Sequence, residues 1–452
     1  MSVKRSAAGS TQRYAIVGGG ILGMTLALRL AQQGNSVTLF ESAHQFGGLA
    51  SAWRLGNMLW DRHYHVTLLS DTHLRSLLTE MDLDQDMKWV ETKTGFFTDG
   101  KLYSMSNTLE FLSFPALGLI DKLRLGFTIW YASKVKNWRK LEQIPVSTWL
   151  RKLSGDRTFE KIWLPLLRSK LGENYRIASA SFIWAIIARM YAARRTGLKK
   201  EMFGYLPGGY ARLLSRFVEV LSEHNVEMKV GHRVSQVSER NNKVKLEFTN
   251  GRVEYFDQVV LTMASPIAAQ VCQGLTQAEY DRHRDIEYQG IICASLLLKK
   301  PLANYYMTNI TDTWVPFTGV IEMSALVDKS EFDQRSLVYL PKYVSTNDPA
   351  FQMTDEQLKE EFLQTLVLMY PKFDRSDLLA FRVSRVRQVF AISTLNYSEK
   401  LPPMHTSIPG VHIINSSHIP NGTLNVNETV LLAERSAAEL MTRSRHSNLV
   451  NA

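Results

Sequence analysis

The chain has 452 residues, with 53 Lys and Arg against 43 Asp and Glu, a formal net charge of +10 at pH 7. A hydrophobic fraction of 45% with 21% charged residues is that of a globular protein and excludes a disordered, collagen-like or coiled-coil chain. At roughly 100–200 residues per domain, the length predicts two or three domains around a large core.

Cys272 and Cys293 are the only cysteines. They exclude a disulfide framework or thiolate metal cluster and point to a reduced, cytoplasmic compartment. Met1 to Arg13 is basic and Ser-rich without an apolar core, so no signal peptide is expected. The Asn421-Gly422-Thr423 tripeptide matches a glycosylation acceptor by chance on this reading.

Tyr14 to Val17 predicts a first short strand, followed at once by Gly18-Gly19-Gly20-Ile21-Leu22-Gly23. A helical pattern then runs from Met24 to Gln33 and stops at Gly34, a good C-cap. Ser36 to Phe40 predicts the second strand, with Glu41 at its end. Strand, Gly-x-Gly-x-x-Gly, helix, strand, acid is the order of a dinucleotide-binding unit. In it Gly18 permits the tight turn, Gly20 admits the pyrophosphate, and Gly23 lets helix and strand approach. The helix N-terminus offers N–H groups to phosphate, and Glu41 accepts from ribose hydroxyls.

Residues 60–110 mix short strands and helices, and residues 111–200 read as mostly helical. Pro207-Gly208-Gly209 opens an amphipathic helix to Leu221. Val226–Val237 and Lys243–Phe248 predict strands, and Phe256–Thr262 predicts a buried strand. Residues 290–345 are expected to alternate as β-strands. Thr354–Tyr370 predicts a helix, Val411–Asn415 a last strand, and residues 426–441 a last helix capped by Asn425.

No apolar run reaches the roughly 18 residues of a membrane span; Ile177 to Ala188 has only 12 uncharged residues between arginines. Charge is concentrated instead. Residues 121–200 hold 18 Lys and Arg against 5 Asp and Glu, a local net of +13, leaving −3 for the rest. The same stretch carries Trp130, Trp138, Trp149, Trp163 and Trp184. It reads as a solvated face over core tryptophans, as an anionic substrate site, or as a dock for an anionic membrane surface. For the membrane reading, Phe111–Ile120 and Leu125–Ser133 supply the apolar contact. Nucleic acid is not expected, since no recognition motif accompanies the charge.

These motifs together resemble the flavin-dependent amine-oxidase-like superfamily, which includes protoporphyrinogen oxidase, phytoene desaturase and UDP-galactopyranose mutase. Four patches carry the resemblance: the glycine fingerprint with Gly47-Gly48; Leu206-Pro207-Gly208-Gly209-Tyr210; Gly231 to Val237 with Val259 to Thr262; and residues 410–441. The resemblance implies an α/β fold in which a discontinuous Rossmann-like FAD-binding domain carries an inserted α+β substrate domain. By analogy the FAD domain takes residues 13–70, 201–274 and 386–445. The substrate domain takes 71–200 and 275–385, with 1–12 a flexible N-terminus and 446–452 a tail. FAD is then held by Gly18, Gly20, Ile21, Leu22, Gly23, Glu41, Ser42, Gly47, Gly48 and Leu49, and by Val234, whose counterpart meets the adenine. Ser416, Asn427, Glu428 and Thr429 complete this set. Where relatives often carry Gly-Asp after the last strand, this chain has Asn415-Ser416-Ser417-His418, which lacks the acid.

His63 and His65 follow the second glycine pair, where the mutase branch places a histidine segment facing the flavin. Their i, i+2 spacing would set both on one side of a strand, as catalytic or as merely structural histidines. No metal is expected, because no ligand pattern accompanies them. Arg168, Arg189, Arg194 and Arg195 are candidate partners of an anionic small-molecule substrate. The implied activity is FAD-dependent oxidation by hydride transfer to flavin N5. The alternatives are a non-redox mutase on a sugar nucleotide or sugar lipid, and a flavin-binding scaffold without turnover. The expected location is cytoplasmic, with peripheral attachment to the inner face of a membrane under the docking reading.

Overall fold

The computed structural model describes residues 11–192, 202–420 and 424–450. Its first sheet is fully parallel, in the order Glu227–Lys229, Ser36–Phe40, Arg13–Val17, Gln258–Leu261, Val411–Ile413. Start, middle and end of the chain therefore meet in one sheet, as a discontinuous domain requires. The central strands are apolar runs because both of their faces are covered. One cover is the helix Ile21–Gln32, packed with the C-terminal helix Val426–Val450 and with Gly209–Glu223 in a core that includes Leu26, Leu30, Phe217 and Val430. A three-stranded antiparallel sheet, Val234–Arg240, Lys243–Phe248 and Val253–Phe256, closes the other face through Val237, Leu246 and Phe256.

A seven-stranded sheet forms the second body, in the order Leu378–Ala391, Tyr288–Leu298, Ser336–Ser345, Gly319–Glu322, Met307–Ile310, Thr94–Thr98, Lys101–Ser104. It joins the two stretches separated by the middle cofactor segments. Helices Thr108–Ser113, Leu119–Lys134, Val146–Ser154, Leu164–Leu171 and Ala180–Ala192 build a lobe beside it. Trp149, Phe159, Trp163 and Phe182 fill that lobe's core. Two of the five clustered tryptophans are thus core residues, while Trp130 stands half in solvent. Among the described residues no helix is long and apolar enough to cross a membrane.

Several expectations need correction. The strand expected over Val226–Val237 is broken, because Gly231 takes φ +71° and sends Glu227–Lys229 and Val234–Arg240 into different sheets. Phe256 likewise ends one strand, and Gln258 begins another. Tyr288–Leu298 does not alternate between core and solvent: all eleven residues are buried. Ile292, Ala294 and Leu296 enter one core and Ile291, Cys293 and Leu297 another, so the sheet has apolar packing on both faces. Leu74, Leu77 and Leu78 of the helix Thr72–Glu80 belong to the core of the parallel sheet. The strand Leu378–Ala391 runs unbroken through positions 385 and 386.

Candidate active site

Val17, Leu261 and Ile413 lie in register at the carboxyl ends of three adjacent parallel strands. That edge is where open α/β sheets bind ligands. Gly18 turns there at φ +116°, and its amide donates to the Phe40 carbonyl at 2.8 Å. The second glycine turn is tied to the first: Gly47 N donates to Gly19 O at 2.7 Å, and Gly20 pairs with Gly47 as a parallel bridge. A Cβ on Gly20 would meet only Gly48 Cα, 4.0 Å away, so its side-chain direction is open. The helix that starts at Ile21 has no side-chain cap, which leaves its N-terminal dipole uncompensated. Ile21 and Leu22 are buried, so they pack the turn and offer only backbone to a ligand.

Glu41 is fixed beside this cradle. Its Oε2 accepts from Gly19 N at 2.8 Å and its Oε1 from Ala43 N at 2.7 Å, with exposed Ser42 donating at 3.2 Å. The Gly231-His232 turn lies against it, His232 N donating to Glu41 O at 2.9 Å. Val234 starts the next strand, buried just beyond that turn. An open glycine cradle, an uncapped helix and an anchored carboxylate fit the diphosphate and ribose of FAD.

The strand Met58–Asp61 ends before the two histidines, so they do not share a strand face. His63 turns to the second glycine pair, with Nδ1 3.1 Å from the Leu49 carbonyl. A carbonyl only accepts, so Nδ1 carries the proton and Nε2 is left as a lone-pair acceptor. That Nε2 is buried with no partner among the described residues. Burial pushes the His63 pKa down to about 3, which keeps the ring neutral. His65 turns the other way, its ring 4.6 Å from that of Tyr210 and its Nδ1 3.7 Å from Asp61. Asp61, absent from the expected site, anchors this corner by accepting from Tyr210 N at 2.7 Å.

A cleft of about 210 Å³ opens where the helical lobe meets the last helix. Trp184, Ala185 and Ala188 form an apolar wall, with Arg189, Asp71 and Glu428 as the charged groups. Arg189 Nη2 donates to Asp71 Oδ2 at 3.0 Å, while its buried Nε has no partner among the described residues. Arg168 lies elsewhere, paired with Glu173 at 3.3 Å on the surface. Arg194 and Arg195 fall outside the described residues. Asp71 carries no local sequence motif; its role comes from a partner 118 residues away.

The C-terminal candidates are largely occupied. Asn425 Oδ1 accepts from Glu428 N at 3.0 Å, and its carbonyl accepts from Thr429 N at 3.0 Å. These two amides are therefore not free for a reduced flavin. Asn427 Oδ1 accepts from His73 N at 2.9 Å and so tethers the helix Thr72–Glu80. Ser416 sits in the turn after the last strand, where Asn415 bonds Ser265 and Ser417 in a buried polar network. That network forms the turn after the last strand, where this chain carries no acid. Among the described residues no group of His, Cys, Asp or Glu is arranged to hold a metal ion.

Residues 23–441 match the family described as flavin containing amine oxidoreductase. The chain belongs to this family. Among curated relatives, coproporphyrinogen III oxidase of Mycobacterium bovis is 25% identical over 293 residues, 60% of this chain. The match spans 63% of that relative's length. Among solved structures, a candidate protoporphyrinogen oxidase from Exiguobacterium sp. 255-15 aligns with TM-score 0.76 at 18% identity, covering 96% of this chain and 100% of the other. Reduced UDP-galactopyranose mutase aligns with TM-score 0.75 at 14% identity, covering 96% of each. The flavin family thus shares this fold from the glycine turn to the last helix.

Proposed function

We propose that this protein is an FAD-dependent oxidoreductase whose substrate is an anionic organic molecule with a large apolar body. The observation that carries the substrate class is Arg189. Asp71 holds one arm of its guanidinium, the buried Nε has no partner among the described residues, and an apolar Trp184–Ala188 wall stands beside it. Such a fork, pre-oriented by a carboxylate, suits a carboxylate or phosphate on an otherwise apolar ligand.

FAD bound at the glycine cradle would supply the acceptor for a hydride from a substrate C–H bond. The chain's own residues do the rest. Gly20 leaves room for the diphosphate, and the uncapped helix faces its charge. Glu41, oriented by two backbone amides, accepts from a ribose hydroxyl. His63, neutral, accepts a hydrogen bond at Nε2 and does not donate a proton there. Arg189 orients the substrate's anionic end.

The test is an absorbance scan of purified protein followed by anaerobic mixing with candidate substrates, a carboxylated porphyrinogen first because of the mycobacterial relative. Bleaching of the flavin band on mixing supports the proposal. Turnover only after prior reduction, with no net electron transfer, would make the protein a mutase. A bound flavin that no substrate class reduces would make it a scaffold.

A further inference from the structure

The helix Leu119–Lys134 has an apolar stripe on each side, and the fold covers only one. Leu125, Thr128 and Ala132 face the lobe's core. Ile120, Leu123, Phe127 and Trp130 recur at helical spacing on the other side, 70%, 64%, 49% and 51% exposed. Leu119 and Tyr131 widen the stripe, and Leu109 and Leu112 of the preceding short helix extend it. Eight of the nineteen exposed large hydrophobics among the described residues lie between 109 and 131. Scattered surface apolar residues need no explanation, but a contiguous patch does. The three aromatic rings cluster on the surface, Phe127 lying 5.9 Å from Trp130 and 6.0 Å from Tyr131.

The charge around the patch has one sign. Arg124, Lys134, Lys136, Arg139 and Lys140 are exposed on this helix and the segment after it. Other cations of the +13 stretch are engaged elsewhere: Arg151 with Asp156, Arg168 and Arg176 with Glu173, and Lys122 with the Leu112 carbonyl. The nearby acids are also answered. Glu110 accepts from Ser104 and Ser106, and Asp121 accepts from Gly118 N and faces Arg157 at 3.5 Å. The free charge bordering the apolar stripe is therefore positive.

We propose that this face docks the protein on an anionic lipid bilayer, with the Leu119–Lys134 helix lying in the interfacial plane. An exposed apolar stripe with interfacial Trp and Tyr and a rim of Lys and Arg matches the chemistry of that boundary. At 1.5 Å per residue the helix is about 24 Å long, suited to lying in the interface. The back of the helix packs on Ala180–Ala192, and Trp184 Nε1 donates to the Ala132 carbonyl at 3.0 Å. Trp184 and Arg189 of that second helix line the cleft. If the proposed function holds, docking brings an amphiphilic substrate's source within one helix of its site.

The experiment is flotation of the full chain with phosphatidylcholine vesicles, with and without phosphatidylglycerol. The anionic vesicles should carry the protein, and binding should fall as salt rises. Ile120→Ser/Leu123→Ser/Phe127→Ser should reduce binding at least tenfold, and Lys134→Gln, Lys136→Gln and Lys140→Gln by about fivefold each. FAD content, read by absorbance, should stay unchanged in all of them, and it reports separately on the cofactor assignment. Quenching of tryptophan by brominated lipid in the unaltered protein tests the same contact without any variant. No flotation and no quenching overturns the proposal, as does flotation unaffected by the serine substitutions. Self-association of the unaltered chain, lost in the serine variant without any lipid binding, would assign the face to a second copy and overturn it equally.

Discussion

A Cβ placed on Gly23 would lie 1.9 Å from the Gly18 carbonyl oxygen. The helix therefore meets the strand turn with no room for a side chain. Gly20, three residues earlier, differs: its φ is −76° and its Cβ direction is open to 4.0 Å. Two glycines of one motif thus serve two tasks, packing and ligand access. Gly23→Ala should destabilise the fold by at least the roughly 1–3 kcal/mol of an overpacked core. Gly20→Ala should fold with a nearly unchanged apo melting temperature yet lose bound FAD. Thermal melts beside absorbance scans check both, and FAD saturation of Gly20→Ala would remove this turn from the cofactor site.

The parallel sheet and its cofactor edge were legible because glycine punctuation and buried apolar runs are local signals. The resemblance added the later strands, which no local pattern connects. What escaped is tertiary in origin. Asp61 and Asp71 are acids that act through partners 149 and 118 residues away. The i, i+2 spacing of His63 and His65 implied a shared face only on the assumption of a strand, which stops at Asp61. The exposed stripe on Leu119–Lys134 was hidden because periodicity shows apolar faces without showing which one is covered. The apolar segments expected to meet a membrane therefore included Phe114, Leu117 and Leu125, which are core.

Glu41 provides a second test of the cradle. Both of its oxygens are committed to backbone amides at 2.8 and 2.7 Å, so its position does not depend on a ligand. Glu41→Ala should raise the FAD Kd by roughly ten- to hundredfold, the worth of one or two charge-assisted hydrogen bonds. Glu41→Gln, which keeps one acceptor, should fall between. Titration of apoprotein with FAD, followed by flavin fluorescence, measures both.

Arg189 should act on substrate and leave the cofactor alone. Arg189→Met keeps the bulk of the stem and removes the fork. Its KM for a carboxylated substrate should rise by about 10–100-fold, with FAD content unchanged. Arg189→Lys keeps the charge but cannot satisfy Asp71 and a ligand with the same planar geometry, so it should recover only part of the loss. Steady-state kinetics on both variants decides; an unchanged KM would place the anionic end of the substrate elsewhere.

Acid should weaken the fold through histidines buried as neutral rings. Burial lowers the pKa of His63 and of His412 to about 3 and that of His283 to about 4, against 6.5 for an ordinary histidine. Between those values the unfolded chain binds the proton and the folded chain does not, so stability is complete above pH 6.5 and declines as pH falls below it. Each ring should cost about 2 kcal/mol near pH 5. Urea midpoints at pH 7.5 and near pH 5 measure the loss, and His63→Gln, which keeps a donor for the Leu49 carbonyl, should shrink it by one histidine's share. A second substitution at His63 separates structure from chemistry. If His63 Nε2 accepts from the bound cofactor or substrate, His63→Ala should slow flavin reduction at neutral pH more than it lowers FAD occupancy. Because the ring is already neutral there, the reduction rate should show no His63 titration between pH 5 and 8. A rate step near 6.5 that vanishes in His63→Gln would contradict the buried neutral ring.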